Sequence, residues 1–222
     1  MEKEKNKTGE NIKKFRRTET TYHPGVSFQS DIKVISARNC EDRFRLIFNF
    51  LIKNGVDIKE KSILDIGSNS GYFVKEFHNY SSNSYGVEIS SRATNFCTSM
   101  YPELSGNIYN EDFLQMMDRE GPFDIVLFMS LLHRYILKKE NYIQIIKDVE
   151  KNTKDFLFFE MGQDHEDWYK NNLSGWNKES IQNFILENTN FNFCEYLGKD
   201  SDSVGWFEGN FGRDLFVCYR TG

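Results

Sequence analysis

The sequence has few cysteines, and none lies close to another. The four are Cys40, Cys97, Cys194 and Cys218, and no pair forms a CxxC motif. A disulfide framework or a structural zinc site depends on clustered or regularly spaced cysteines. We therefore expect reduced thiols in a protein core, and a cytoplasmic location.

Long apolar runs are also missing. The longest, such as residues 124–129, are far shorter than the roughly 20 residues of a membrane-spanning helix. The N-terminus is charged where a secretory signal would be apolar. We expect a soluble protein without a membrane span.

An excess of positive charge is absent as well. The formal net charge is -5, and both signs are mixed along the chain. Proteins that bind nucleic acid commonly carry an overall basic field. Nucleic acid is therefore disfavoured as a partner, although the charge does not exclude it.

The length and composition predict one domain with a short appendage. The chain has 222 residues, of which 39% are hydrophobic, enough for one core. Residues 1–21 carry seven Lys or Arg against four Glu and almost no apolar side chain, which predicts a flexible basic tail. That tail is either a solvated terminus or an arm that folds over a substrate or partner. Residues 22–222 form the predicted domain, in which residues 22–60 are an N-terminal helical addition.

That addition contains one clear helix. Asn39 and Asp42 are its predicted capping pair, and Gly55 closes it. The apolar side chains between them recur at helical spacing, at Phe44, Ile47, Phe48 and Leu51.

From residue 62 onward, short apolar strands alternate with helical segments. The strand candidates are residues 62–66, 84–88, 107–109, 124–129 and 155–161, and the clearest helix has apolar positions Tyr142, Ile145, Ile146 and Val149. This alternation predicts an α/β fold, a parallel sheet with helices on both faces. The last two strands, residues 191–197 and 214–220, follow a helix near 178–188. A glycine-rich loop joins them, so we expect a C-terminal antiparallel hairpin.

The stretch ILDIGSNSGYFVKEF, residues 63–77, turns sharply from a strand into a helix. Asp65 ends the strand, and Gly67 and Gly71 permit positive φ or close approach of a ligand. In open α/β folds, ligands bind at this edge of the sheet. Glu88 ends the next strand, where a carboxylate can accept hydrogen bonds from both hydroxyls of a ribose. The pattern therefore predicts a nucleoside cofactor.

Two nucleoside cofactors suit this layout. A dinucleotide fingerprint places glycines where this chain has Asn69 and Tyr72. Without them the pyrophosphate loses its close backbone cradle, so a nicotinamide dehydrogenase is the weakest alternative.

Four segments in order resemble the motifs of class I S-adenosylmethionine-dependent methyltransferases. They are LDIGSNSGYF, YGVEIS, NEDF (110–113) and FDIVLFMSLLHRY (123–135), and the closing hairpin extends the resemblance to about residue 220. Asn69 stands where that family often has glycine. The resemblance implies a Rossmann-like fold and S-adenosyl-L-methionine as cofactor.

The resemblance also implies the cofactor contacts. The amino-acid end would lie against Asp65, Gly67 and Gly71, with Ser68 and Asn69 in the loop. Glu88 would bind the ribose and Asp112 the adenine amino group. The remaining contacts are Ile89 and Phe113 beside the ring, and Met129 and Ser130 on the methionyl side. Each residue also has an ordinary structural explanation, such as a helix cap for Asp112.

A looser resemblance concerns the methyl acceptor. FDIVLFMSLLHRY and DFLFFEMG are similar to segments of O-antigen chain-terminating and RNA 5′-phosphate methyltransferases. This implies O-methylation of a sugar hydroxyl, a phosphate or another small polar acceptor. His133 is the candidate general base, with Glu160 to orient it or to bind a sugar hydroxyl. Arg134 is a candidate phosphate contact.

Further candidates near the acceptor are less specific. Asp164, His165 and Glu166 are candidate metal ligands together with Glu160. Adjacent residues rarely converge on one ion, however, so we expect no metal. Two aromatic loops are candidate acceptor walls or packing elements: Trp168, Tyr169 and Trp176 in the first, and Trp206, Phe207, Phe211 and Arg213 in the second.

Two other functions remain open on the sequence. An RNA methyltransferase would use the basic tail and Arg134, and its affinity would fall steeply with salt. A non-catalytic subunit of the same fold would bind cofactor without turnover. The acceptor and the oligomeric state are beyond the sequence.

Overall fold

The computed structural model describes residues 17–21, 32–36, 38, 40–169, 171–200 and 212–221. The strands in these residues are β1 (Arg17–Thr21), β2 (Ile32–Ser36), β3 (Ile63–Ile66), β4 (Ser84–Val87), β5 (Ile108–Tyr109), β6 (Phe123–Met129), β7 (Thr153–Glu160), β8 (Phe193–Lys199) and β9 (Asp214–Tyr219). The α-helices are α1 (Glu41–Lys53), α2 (Tyr72–His78), α3 (Ser91–Met100), α4 (Phe113–Glu120), α5 (Leu132–Lys138), α6 (Tyr142–Lys151) and α7 (Lys178–Asn188).

The main sheet has seven strands in the order β5-β4-β3-β6-β7-β9-β8. Strands β3 to β7 pair in parallel. Strand β9 lies between β7 and β8 and is antiparallel to both. The predicted α/β fold and its C-terminal antiparallel hairpin are therefore confirmed.

Alternating side chains of the central strands divide the core between the two faces of the sheet. Leu64, Val126 and Phe128 belong to the cluster that also contains the apolar faces of α4, α6 and α7. Ile63 and Leu127 belong to the cluster on the opposite face, against α1 and α2. Both faces are buried, as near-continuous apolar strands require.

Helix α1 is confirmed, but its predicted N-terminal cap is wrong. The cap is Cys40, whose backbone is left-handed (φ 67) and whose side chain makes no capping hydrogen bond. Asp42 instead pairs with Arg45, at 2.6 Å, and Asn39 lies outside the described residues. Gly55 ends the helix as predicted, with φ 68 and its N–H 3.0 Å from the carbonyl oxygen of Ile52.

The N-terminal segment differs from the prediction where it is described. Arg17–Thr21 falls within the predicted tail, yet it forms a strand that pairs in parallel with Ile32–Ser36. Residues 1–16 lie outside the described part of the chain. The addition over residues 22–60 thus contains strand as well as helix.

The parallel arrangement brings the carboxyl ends of β3, β4, β6 and β7 to one edge of the sheet, where open α/β folds bind ligands. None of the helices in the described part of the chain has the length and apolar composition that crossing a membrane requires.

Candidate active site

The turn after β3 is built from residues in the left-handed region. Gly67, Asn69 and Gly71 have φ of 72, 50 and 76. A Cβ on Gly67 would lie 2.8 Å from Cδ1 of Leu131, and one on Gly71 would collide with Sγ of Cys97. Both backbone conformations therefore favour glycine, and at Gly71 the buried Cys97 also leaves no space for a Cβ.

Asp65 places an unused hydrogen-bond acceptor at this turn. Its side chain is buried, and Oδ2 has no hydrogen-bond partner among the described residues. Burial raises the pKa of Asp65 to about 8, and Glu88 adds to the shift while Arg43 opposes it. A buried acceptor without a partner is costly, which indicates that a ligand donor completes it.

Glu88 joins the turn to the loop after β4. Its Oε2 accepts a hydrogen bond from the backbone N–H of Asn69 at 3.1 Å, and Oε1 accepts one from Ser90 at 2.8 Å. The carboxylate is thus held in a fixed position at the sheet edge.

A pocket of about 400 Å³ opens over this edge, a volume typical of small-molecule sites. All of the predicted cofactor contacts line it except Ser68 and Gly71. The predicted residues in its lining are Asp65, Gly67, Asn69, Glu88, Ile89, Asp112, Phe113, Met129 and Ser130. Ser68 is instead fully buried against Gly86 of β4, and Gly71 faces Cys97.

Asp112 serves two purposes. It lines the pocket and it also caps α4, because its Oδ1 accepts a hydrogen bond from the N–H of Leu114 at 2.9 Å. The structural and the ligand-binding interpretations of this residue are therefore compatible.

Arg43 of α1 lines the same pocket, and the sequence reasoning missed it. Its side chain is fully buried, and its guanidinium lies 5.4 Å from the ring centroid of Phe73. Nη1 lies 3.1 Å from Oε2 of Glu160. A signal was present, since Arg43 stands four residues before Ile47, which places a charge on the buried face of the helix.

Glu160 is the centre of a buried charged cluster and does not line the pocket. Besides Arg43, its carboxylate accepts hydrogen bonds from Ser130 Oγ at 2.8 Å and from Arg213 Nη1 at 3.2 Å, and Arg38 Nη1 lies 3.7 Å away. Burial alone would raise the pKa of Glu160, but the arginines hold it well below its usual range. The hydrogen bonds described for Glu160 are to the arginines and the serine and not to His133, so its two predicted roles stay predictions.

Comparisons with known proteins agree with this geometry. Residues 64–155 match the family model described as "Methyltransferase domain". This segment therefore matches a methyltransferase domain over less than half of the chain, in agreement with the motif resemblance. The resemblance drawn from the motifs is thereby supported.

Solved structures with the same fold include three methyltransferases. The bifunctional kinase-methyltransferase WbdD has a TM-score of 0.64 at 15% identity, over 90% of this chain and 44% of that one. Magnesium protoporphyrin IX methyltransferase (ChlM) from Synechocystis PCC 6803, solved with bound SAM, has a TM-score of 0.59 at 13% identity. The match covers 81% of this chain and 78% of that one. The N-methyltransferase NodS from Bradyrhizobium japonicum WM9 has a TM-score of 0.57 at 15% identity. The match covers 83% of this chain and 100% of that one.

The chain spans less than half of the length of WbdD. At these identities the likeness shows the fold and not the acceptor. A search of the curated proteins finds no match to the chain.

His133 lies beside the pocket, in surroundings that do not favour the predicted role of general base. It is buried, and its Nδ1 accepts a hydrogen bond from the N–H of Gly162 at 3.1 Å. The neutral ring therefore carries its proton on Nε2, which lies 3.2 Å from Oη of Tyr169. Burial lowers the pKa of His133 to about 3, with Arg213 and Arg134 adding to the shift. Neither ring nitrogen offers a lone pair to an acceptor.

Arg134 lines the pocket, as a phosphate contact would. It stands on the exposed side of α5. Its guanidinium forms no ion pair with the described part of the chain.

The first aromatic loop divides between the core and the site. Trp176 packs against Tyr142 and Phe184, with ring centroids 6.1 and 5.1 Å away, so it is a packing residue. Tyr169 contacts His133 at the sheet edge. Trp206, Phe207 and Phe211 of the second loop lie outside the described residues.

The acidic residues after β7 do not gather around an ion. Glu166 forms two hydrogen bonds with Arg213, at 2.8 and 2.9 Å, and Nε2 of His165 lies 3.2 Å from the carbonyl oxygen of Gly212. Within the described residues, no group of three metal-binding side chains converges.

Proposed function

We propose that this methyltransferase transfers a methyl group directly to an oxygen of a small polar acceptor, such as a sugar or a phosphate. The observation that carries the cofactor site is the partnerless Oδ2 of Asp65, which lines a pocket that also contains Arg43. A carboxylate and a guanidinium in one pocket fit the ammonium and carboxylate groups of an amino acid.

The rest of the pocket fits an adenosine. Glu88 is placed to accept hydrogen bonds from a ribose diol. Ile89 and Phe113 supply apolar surface for the adenine, and Asp112 supplies an acceptor for its amino group. When bound, S-adenosylmethionine supplies an electrophilic methyl group on a positively charged sulfur.

Within the range of acceptors, the contacts of His133 favour a phosphate over a hydroxyl. A hydroxyl must lose its proton during transfer, and a positioned base normally assists that loss. His133 cannot do so with both nitrogens engaged. A phosphate oxygen is already ionised at neutral pH, and Arg134 at the pocket rim is a cation suited to bind it.

The residues of the chain then act by positioning. Asp65, Glu88 and Arg43 hold the cofactor, while the acceptor oxygen must approach the methyl carbon in line at about 3 to 3.5 Å. The O–C bond forms as the C–S bond breaks, and both electrons of the C–S bond remain on sulfur. Orientation alone can supply most of such an acceleration.

The test is methyl transfer from labelled S-adenosylmethionine to paired acceptors. The pairs are an oligosaccharide with and without a terminal phosphomonoester, and an RNA oligonucleotide with and without a 5′-phosphate. We expect transfer to the phosphorylated oligosaccharide. Arg134→Met should lower it by about 10- to 150-fold, the value of a hydrogen bond between charged groups. Arg45→Met, on the exposed face of α1, is the matched control and should leave it unchanged.

Other outcomes identify the alternatives. Transfer to the RNA alone, with an affinity that falls steeply as salt rises, would establish an RNA methyltransferase. Binding of S-adenosylhomocysteine without transfer to any acceptor would favour a non-catalytic subunit. Failure to bind S-adenosylhomocysteine at all would contradict the cofactor site itself.

A further inference from the structure

The C-terminal hairpin brings two of the four cysteines together. Cys194 of β8 and Cys218 of β9 are direct partners in the antiparallel pairing, although they lie 24 positions apart in the sequence. Directly opposed residues of antiparallel strands have their side chains on the same face of the sheet, and the thiol of Cys218 donates to Sγ of Cys194 at 2.9 Å. The register is regular over residues 193–196, so the backbone holds both thiols in this position.

The geometry of this pair fits a disulfide bond. The Cα atoms of opposed antiparallel residues are about 4.5 or 5.5 Å apart, and both values fall within the range of about 4.4 to 6.8 Å that disulfide-bonded cysteines show. The S–S bond is about 2.05 Å long, so the sulfurs need to approach by less than about 1 Å from their separation of 2.9 Å. Rotation of the side chains with a small shift of β8 supplies this approach.

The two cysteines differ in their surroundings. Cys218 is fully buried on a strand that pairs with both β7 and β8. Burial raises the pKa of its thiol well above the usual value, and the contact with Cys194 adds to the shift. Cys194 is 8% exposed and lies on β8, the last strand in the order of the main sheet. A small oxidant therefore reaches Cys194 first, which leaves Cys218 as the thiol that resolves the oxidised product.

We propose that Cys194 and Cys218 form an oxidation site, at which a peroxide converts the thiol pair into a disulfide that locks β8 to β9. The thiolate of Cys194 attacks one peroxide oxygen, the O–O bond breaks to give a sulfenic acid, and the departing hydroxide takes up a proton to become water. The sulfur of Cys218 then attacks the sulfenic sulfur, and the S–S bond forms as a second water leaves with the proton of Cys218. The two thiols lose two electrons, and the peroxide gains them. This inference is independent of the proposed function.

The disulfide secures a part of the fold that carries buried ion pairs. The loop that it closes begins after β8, where Asp200 pairs with Arg38, and returns at Arg213, which pairs with Glu160. Closing such a loop lowers the conformational entropy of the unfolded chain. We therefore expect the oxidised protein to be more resistant to heat than the reduced protein.

Oxidation of the folded protein tests the site. The full chain is treated with hydrogen peroxide, the remaining thiols are blocked by alkylation, and the intact mass and the proteolytic peptides are measured. We expect the loss of two of the four thiols, a peptide that joins Cys194 to Cys218, and recovery of both thiols with dithiothreitol. The proposal is overturned if no thiol is lost, if other cysteines pair instead, or if Cys194 is oxidised to the sulfinic acid without pairing.

Substitutions test the identity of the pair. Cys194→Ala and Cys218→Ala should each abolish the linked peptide. Cys97→Ala, which removes a buried thiol from a different core cluster, is the matched control and should retain it. If either hairpin variant fails to fold, the peptide map of the wild type still decides the proposal.

Thermal unfolding tests the locking effect. The Tm of the oxidised wild type should lie at least about 5 °C above that of the same sample after reduction with dithiothreitol. Oxidised Cys97→Ala should show the same difference, and oxidised Cys194→Ala should show none. A linked protein whose Tm does not fall on reduction would exclude a lock on the hairpin.

Discussion

Arg43 of α1 and Glu160 at the end of β7 form a buried ion pair, in which Nη1 lies 3.1 Å from Oε2. Arg43 faces the pocket and Glu160 lies behind it. The pair therefore connects the N-terminal helix to the edge of the sheet where the site lies. It joins segments on either side of the matched methyltransferase domain, residues 64–155.

The first prediction concerns the charge of Glu160. Glu160→Gln leaves buried Arg38, Arg43 and Arg213 without their shared carboxylate, so we expect a loss of about 3 to 5 kcal/mol in the free energy of unfolding at pH 7. The pKa of Glu160 is lowered on folding, so its stabilisation is present above an unfolded pKa of about 4.5 and is lost as pH falls further. Denaturant unfolding at pH 7 and pH 3 should show the difference between the two proteins shrinking in acid. A difference independent of pH would contradict the electrostatic explanation.

The second prediction separates the two ends of the cofactor. Arg43→Met should weaken binding of S-adenosylhomocysteine by about 10- to 150-fold, since Arg43 is proposed to contact its carboxylate. Binding of 5′-methylthioadenosine, which lacks the amino acid, should be unchanged. Calorimetry with both ligands measures this, and Arg43→Lys should recover part of the loss. Equal weakening of both ligands would indicate distortion of the pocket instead.

Much of the cofactor site could be predicted because it is local in sequence. Asp65, Gly67 and Asn69 belong to one strand-turn-helix unit, and their roles follow from the turn that joins these elements. Glu88 ends the neighbouring parallel strand, so strand order alone places it beside the turn. The same reasoning included Ser68 in the pocket, yet within such a turn alternate side chains face inward, and Ser68 is buried.

The contacts around His133 could not be predicted in this way, because they join segments that are distant in the sequence. Tyr169 follows β7 and Arg213 directly precedes β9, and nothing in their local sequence indicates that they meet beside the site. The position of His133 near the end of β6 could be predicted from the sequence, but the orientation of its ring could not. The backbone N–H of Gly162, 29 positions further on, determines its tautomer.

The third prediction uses the raised pKa of Asp65. S-adenosylhomocysteine presents an ammonium group, which favours the carboxylate form, whereas the free pocket holds Asp65 protonated below about pH 8. Affinity should therefore fall by up to about tenfold per pH unit as pH drops below 8. Binding of 5′-methylthioadenosine should not change with pH. Calorimetry at pH 6, 7 and 8 tests both, and a pH-independent affinity for S-adenosylhomocysteine would remove Asp65 from the ammonium contact.

The raised pKa of Asp65 also predicts that one substitution can weaken ligand binding and stabilise the ligand-free protein. The folded pKa of Asp65 lies above its ordinary value of 3.8, so ionisation in the unfolded chain disfavours the ligand-free fold increasingly between about pH 4 and 8. Asp65→Asn should raise the Tm of ligand-free protein at pH 8 and not at pH 4, while weakening S-adenosylhomocysteine binding. A lower Tm at pH 8 would show that Asp65 has a structural role instead.

The last prediction concerns Glu88, which is proposed to accept hydrogen bonds from the ribose diol. Glu88→Ala should weaken S-adenosylhomocysteine and 5′-methylthioadenosine alike, by about 10- to 150-fold, because both carry the ribose and a hydrogen bond to a charged group is worth about 1.5 to 3 kcal/mol. Glu88 also accepts from the N–H groups of Asn69 and Ser90, so Glu88→Gln, which keeps one carbonyl acceptor, should lose less. Glu103→Ala, on the surface, is the control for a lost carboxylate. Unchanged affinity of Glu88→Ala for both ligands would exclude Glu88 from the site, whereas a loss confined to S-adenosylhomocysteine would move its contact from the ribose to the amino-acid end.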